Sequence, residues 1–135
     1  MSPEEMAALH ARAFTMPRPW SAAEFRDLLA SPRVFPCLRP GGLLLGQVVL
    51  DEAELLTVAV EPDRQGRGIG RQLVADFLAE ARARGAATAF LEVAADNAAA
   101  LAVYTASGFT PTGRRKGYYH GPEGAVDAVL MGRSL

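Results

Sequence analysis

The chain has 135 residues, half of them apolar and 21% charged, with a formal net charge of −1. That length and composition fit one globular domain over residues 1–135 with a sizeable core, and the charge balance argues against a general nucleic-acid binder. The one cysteine, Cys37, excludes an internal disulfide, and no membrane-spanning run or signal peptide is present, so a cytoplasmic protein is the default expectation.

Ser2-Pro3-Glu4-Glu5 opens a helix: Ser2 caps, Pro3 suits the first helical position and Glu5 completes a capping box. Met6, Leu9, Ala13 and Phe14 form its apolar stripe, and it should end before Pro17, because Met16-Pro17-Arg18-Pro19-Trp20 carries two prolines. A second capping box, Ser21 to Glu24, starts a short helix with Phe25, Leu28 and Leu29 inward, stopped at Ser31-Pro32. An antiparallel meander follows: a strand over 34–38, a turn at Pro40-Gly41-Gly42, a strand over 43–50, a turn at Asp51-Glu52 and a strand over 53–60. Cys37 sits in the first of these as a small buried side chain, not a nucleophile. His10 and His120 lie far apart in the chain with no other soft ligands near them, so no metal site is expected.

Gln65-Gly66-Arg67-Gly68-Ile69-Gly70 then leads into a helix running to about Arg84. Its inward stripe is Leu73, Val74, Phe77, Leu78 and Ala81, and Gly85 stops it. A glycine loop at a helix N-terminus is an anion site, since unpaired N–H groups and the positive end of the helix dipole face the ligand. Arg64, Arg67 and Arg71 add positive charge, so a phosphorylated ligand is expected. The loop lacks the Lys-Ser or Lys-Thr that a nucleotide-hydrolase phosphate loop needs. Arg71 stands where a dinucleotide fingerprint needs its third glycine, and the chain is too short for a doubly wound sheet. A strand over 87–93 should lie parallel to the one ending at Val60, because a helix crosses between them. Asp96 or Asn97 caps the next helix, which carries Leu101 and Tyr104 and stops at Gly108. Phe109 begins a strand, Arg114 to Gly124 reads as an exposed loop, and Ala125 to Met131 is the last strand. The class is α/β, with a mixed, mainly antiparallel twisted sheet and flanking helices.

Gln65-x-x-Gly68-x-Gly70 fits the cofactor loop of the GCN5-related N-acetyltransferases (GNAT), in which Gln or Arg is followed by two residues, Gly, one residue, and Gly or Ala. Leu91-Glu92-Val93, Asn97 to Ala100, Tyr104 and Ser107-Gly108-Phe109 extend the match. Pro19-Trp20-Ser21, Gln47 to Ala53 and Gly117-Tyr118-Tyr119 resemble the RimI type within that family, the ribosomal-protein alanine N-acetyltransferases. The resemblance covers nearly the whole chain. In the family a strand usually precedes the first helix; here the helix is capped at Ser2, so the expectation is a sheet without that first strand.

The resemblance implies acetyl-CoA as cosubstrate and no metal. Coenzyme A would be gripped by the backbone of Val58, Ala59 and Val60, by the loop Gly66, Arg67, Gly68, Ile69, Gly70 and Arg71, and by Asn97, which equally serves as a plain helix cap. An N-terminal amine has a pKa near ~8 and must lose a proton before attack. Glu92, read as the end of a buried strand, resembles the general base; the plainer alternative is a carboxylate paired with an arginine or merely exposed. Burial would raise its pKa toward a useful range. Tyr104 resembles the general acid for the leaving thiolate, with a ring packed on the inner helix face as its alternative. An N–H near Val60 is the candidate oxyanion donor, if the strand splays from its neighbour. Trp20, Tyr118 and Tyr119 would wall a groove for a peptide N-terminus, or pack loop to body; His120 and Arg114 to Lys116 face solvent. The resulting expectation is an N-acetyltransferase acting on a protein N-terminal α-amine, that of the N-terminal alanine of a small-subunit ribosomal protein, as a monomer or weak homodimer. A lysine side chain or small amine as acceptor, and a non-catalytic acetyl-CoA-binding module, are the rivals.

Overall fold

A computed structural model describes residues 1–14 and 18–135. Two short helices come first, α1 (Pro3–Ala13) and α2 (Ala22–Leu29). Both carry complete capping boxes, Ser2 with Glu5 and Ser21 with Glu24. Met16 and Pro17 of the proline stretch lie outside the described residues; Arg18, Pro19 and Trp20 are not helical.

The meander is β1 (Val34–Arg39), β2 (Gly42–Val49) and β3 (Glu52–Val60). Leu50, expected in the second strand, instead sits in the turn with φ 56°. A short 3₁₀ turn at Pro62–Arg64 leads into α3 (Ile69–Ala83), then β4 (Thr88–Ala94) and α4 (Ala98–Ala106). Two long strands close the chain, β5 (Thr110–Gly121) and β6 (Gly124–Ser134). Arg114 to Gly124, expected as a loop, is therefore mostly strand. The reason is burial: β5 is an edge strand, exposed from Thr110 to Lys116, so no period-2 alternation marks it.

The six strands form one sheet in the order β1-β2-β3-β4-β6-β5. Only β3 and β4 pair parallel; the other pairings are antiparallel. Helices cover both faces. On one, Leu73, Val74 and Phe77 of α3 pack on Phe35, Leu44, Leu55 and Leu91, and α4 adds Tyr104. On the other, Met6, Leu9 and Phe25 pack on Leu43, Leu45 and Ala59. This explains the unbroken apolar run Leu43-Leu44-Leu45, since a strand buried on both faces has no polar side to show. Gly46 is where α3 comes closest: a Cβ there would stand 2.6 Å from the Phe77 ring.

Two irregularities of β3 position the site. Its pairing with β2 shifts between Leu45 and Gly46, so that Leu45 opposes Thr57 while Gly46 opposes Leu55. Leu56 is the extra residue of a bulge, and the side-chain alternation changes phase there. Ala53 and Leu55 face α3, Leu56 and Ala59 face α1 and α2, and Val58 faces α3 again. Second, β3 pairs with β4 only at Glu52 with Thr88, Ala53 with Ala89 and Glu54 with Phe90. Beyond Glu54 the strands part.

Candidate active site

The parted strands create a gap in the middle of the sheet, and a cavity of about 380 Å³ sits there. Its walls come from both faces. Leu91 and Val93 point into the α3 side, so alternation along β4 sends Glu92 to the face carrying α1 and α2. Tyr104 belongs to the α3 side. The gap lets a strand carboxylate from one face and a helix phenol from the other line the same cavity.

Glu92 stands in the middle of β4, with its side chain 29% exposed and 3.3 Å from the Arg115 guanidinium. The expected end-of-strand burial is not found, because α1 and α2 do not reach across β4 to cover it. Arg115 faces solvent, as expected, but it also pairs with this carboxylate and lies 5.3 Å from the Tyr118 ring centroid. Tyr104 is 5% exposed. Burial, with Tyr119 as the lesser cause, pushes its phenol above the usual tyrosine range, so it stays protonated at physiological pH. Tyr119 is pushed up to about 12, first by burial and then by the neighbouring Glu92.

Asn97 caps α4, its side-chain oxygen accepting from the Ala100 N–H at 3.2 Å, and it lines the cavity two helical turns from Tyr104. Trp20, Tyr118, Tyr119 and Val58 line it too. Tyr118 and Tyr119 meet edge to face at 5.2 Å.

The glycine loop and Val60 lie outside this cavity, further along the free edge of β3. The Glu61 N–H donates to the Gly41 carbonyl on the β2 side, so alternation turns the N–H groups of Val58 and Val60 to the opposite edge, where β4 has departed. Gln65 reaches back to the Val60 carbonyl at 3.3 Å. Gly66 and Gly68 have φ of 82° and 83°, and a Cβ on either would meet nothing within 4 Å. Glycine is there for the left-handed backbone, and the loop's outer side is open. Gly68 caps α3 with no side-chain hydrogen bond, and no acid sits in the first turn. Among the described residues, no ion pair engages Arg64, Arg67 or Arg71. Free N–H groups, unpaired arginines and an open glycine loop suit a pyrophosphate, and the free strand edge suits an amide-bearing chain.

Four polar or aromatic cavity residues were not marked by the sequence as site residues: His10, Phe14, Glu54 and Thr57. Glu54 accepts from the Gln47 side chain at 3.0 Å. His10 is 1% exposed and its ring nitrogens meet the Trp20 N–H at 3.0 Å and the Thr57 hydroxyl at 2.8 Å. Burial depresses its pKa to about 4, so it is neutral at pH 7. Its place beside Leu9 on a helix stripe was the available signal, but Thr57 as its partner depends on the bulge.

Among the described residues, no cluster of three or more His, Cys, Asp or Glu side chains is set to hold a metal ion, and no helix is long and apolar enough to cross a membrane.

The sheet with its parted parallel pair, the glycine loop at the head of α3 and the central cavity define an acetyltransferase of the GNAT class. The sequence profile of the acetyltransferase (GNAT) family matches residues 5–109, and the chain belongs to that family. It is an acetyl-CoA-dependent N-acetyltransferase. It is similar to the ribosomal protein bS18-alanine N-acetyltransferase of Escherichia coli K12, at 39% identity over 93% of this chain and 87% of that one. The protein of the same description from Salmonella typhimurium is 45% identical over 69% of this chain, and the match spans 63% of that protein's length. The crystal structure of the E. coli ribosomal-protein-S18-alanine N-acetyltransferase superposes with a TM-score of 0.84 at 36% identity, covering 95% of this chain and 84% of that one.

Proposed function

We propose that the chain acetylates the α-amine of a protein N-terminus, and that its acceptor is the N-terminal alanine of ribosomal protein bS18, as in the similar enterobacterial proteins. The observation that carries this is the shared cavity: Glu92 and Tyr104 reach it from opposite faces of the sheet, between walls of Trp20, Tyr118 and Tyr119.

Acetyl-CoA supplies an acetyl group activated as a thioester. The residues of this chain do the rest. The open loop from Gly66 to Arg71 holds the pyrophosphate with its amides and arginines, and the free edge of Val58 and Val60 pairs with the amide-bearing arm. An N–H of this edge that the arm leaves free is the donor for a carbonyl oxygen that gains negative charge. The incoming ammonium enters a cavity bearing Glu54 and Glu92, which favour a cation. It competes with Arg115 for Glu92, which takes the proton directly or through a water. Tyr104 sits on the other side of the gap, protonated at every relevant pH, and gives a proton to the leaving sulfur.

Mass spectrometry of two peptides incubated with acetyl-CoA and the protein tests this reading. One begins with a free alanine, and its pair has a blocked N-terminus and an internal lysine. Acetyl on the free α-amine alone is expected. Acetyl on the lysine would move the protein to side-chain acetylation, and acetyl on neither would remove the peptide-acceptor reading.

A further inference from the structure

Thr57 is the bulge-shifted residue of β3, 7% exposed, lining the cavity beside His10. The hydrogen-bond roles of this pair follow from the third partner. The Trp20 backbone N–H can only donate, so His10 Nδ1 accepts at 3.0 Å and carries no proton. A neutral imidazole then has its hydrogen on Nε2. The 2.8 Å contact is therefore Nε2–H donating to the Thr57 Oγ1. Burial keeps the ring neutral at physiological pH, and stacking on Phe14 at 4.2 Å and Trp20 at 5.2 Å fixes its plane.

Thr57 is thus left as a donor. Its oxygen already accepts from His10, and among the described residues its hydroxyl has no other hydrogen-bond partner. A buried hydroxyl hydrogen without an acceptor is costly, and the cavity is the place open to it. The acceptor side of the cavity offers acids and aromatic faces for an ammonium, but a hydroxyl donor answers a different need: a neutral oxygen next to the amine. In a peptide N-terminus that oxygen is the first carbonyl, two bonds from the α-carbon that bears the amine.

We infer that Thr57, held by His10, donates its hydroxyl hydrogen to the first carbonyl oxygen of the acceptor peptide, making it a positioning residue that selects an α-amine followed by a peptide carbonyl. The inference rests on the peptide-acceptor reading above. It assigns His10 a positioning role at one remove, through the direction of the Thr57 hydroxyl. A site built to hydrogen-bond a substrate oxygen discriminates against acceptors that lack it.

The test pairs a protein change with a substrate change. The acceptor is an alanine-starting peptide and the same peptide with its first carbonyl oxygen replaced by sulfur, a weaker hydrogen-bond acceptor. Each is assayed with the wild-type protein, Thr57→Val and Thr57→Ser. With wild type, the sulfur peptide should lose about tenfold in kcat/KM, mainly through KM, the order expected for one hydrogen bond. Thr57→Val should cost the oxygen peptide a similar factor and abolish the difference between the two peptides. Thr57→Ser should restore the difference. A wild-type protein indifferent to the sulfur change overturns the inference, and needs no variant to fold. A Thr57→Val protein that lowers both peptides equally also overturns it, because that is the mark of a merely structural brace. If the wild-type protein acetylates neither peptide, the peptide-acceptor reading itself fails, which is a separate result from indifference to the sulfur.

Discussion

At the residue scale, the proposed chemistry turns on a carboxylate and a phenol in contrasting surroundings. Glu92 is accessible and paired with Arg115, whereas Tyr104 is buried and held protonated. Positioned acids and bases of this kind contribute on the order of 10²–10⁴-fold. Steady-state assays with an α-amine acceptor should therefore find kcat reduced about 100-fold or more in Glu92→Gln and at least about 10-fold in Tyr104→Phe. Unchanged rates in both would remove these two residues from the mechanism. His10 makes a prediction about stability instead. Its folded pKa is about 4, below the unfolded value near ~6.5. The unfolded chain then binds the proton more readily, so His10's contribution is complete above about pH 6.5 and is lost as pH falls toward 4. Urea titrations at pH 7 and pH 5 should differ by about 2 kcal/mol from this group, and His10→Gln should flatten that slope. Glu92 and Tyr104 were legible in the sequence as candidates through the family resemblance that the Leu-Glu-Val strand and the following helix carry. Thr57 was not, because its neighbour is His10, 47 positions away in the chain, and no local pattern announces such a pairing.

At the element scale, the helices were readable because their start signals are local. Ser2 with Glu5 and Ser21 with Glu24 bond within three residues of each other. The strand over 114–121 was not, because an edge strand that buries little writes no alternation into its residues. The bulge at Leu56 escaped for another reason. It changes which face each residue of β3 serves, yet every second residue from Ala53 to Ala59 remains buried, so the pattern reads as an ordinary strand. The contact of α3 with the sheet is equally specific. In Gly46→Ala the new methyl would meet the rings of Phe77 and Phe35 at 2.6 and 2.8 Å. Both rings are buried in the close-packed core, so a loss of about 1–3 kcal/mol is expected. It should appear as a lower urea midpoint at unchanged slope.

At the scale of the whole molecule, the parting of β3 from β4 is the decisive feature. It opens the cavity, joins the two faces of the sheet at one point and leaves a strand edge unpaired. Native-state hydrogen exchange should show this directly. The Val58 and Val60 amides, turned toward the gap, should exchange faster than those of Thr57 and Ala59, turned toward β2. Acetyl-CoA should slow Val58 and Val60 selectively. Equal protection of all four amides, with or without acetyl-CoA, would place the free edge elsewhere. The division between sequence and tertiary structure follows the range of the forces involved. Helix caps, the glycine loop and the apolar stripes depend on residues a few positions apart, so the class of fold and the glycine loop at the head of α3 could be read along the chain. The joining of Glu92, Tyr104, Thr57 and His10 in one cavity depends on where two parallel strands cease to pair and on which face a bulge turns a side chain. Those are outcomes of packing between segments remote in the chain, and they exist only once the sheet and its two helical layers have closed on one another.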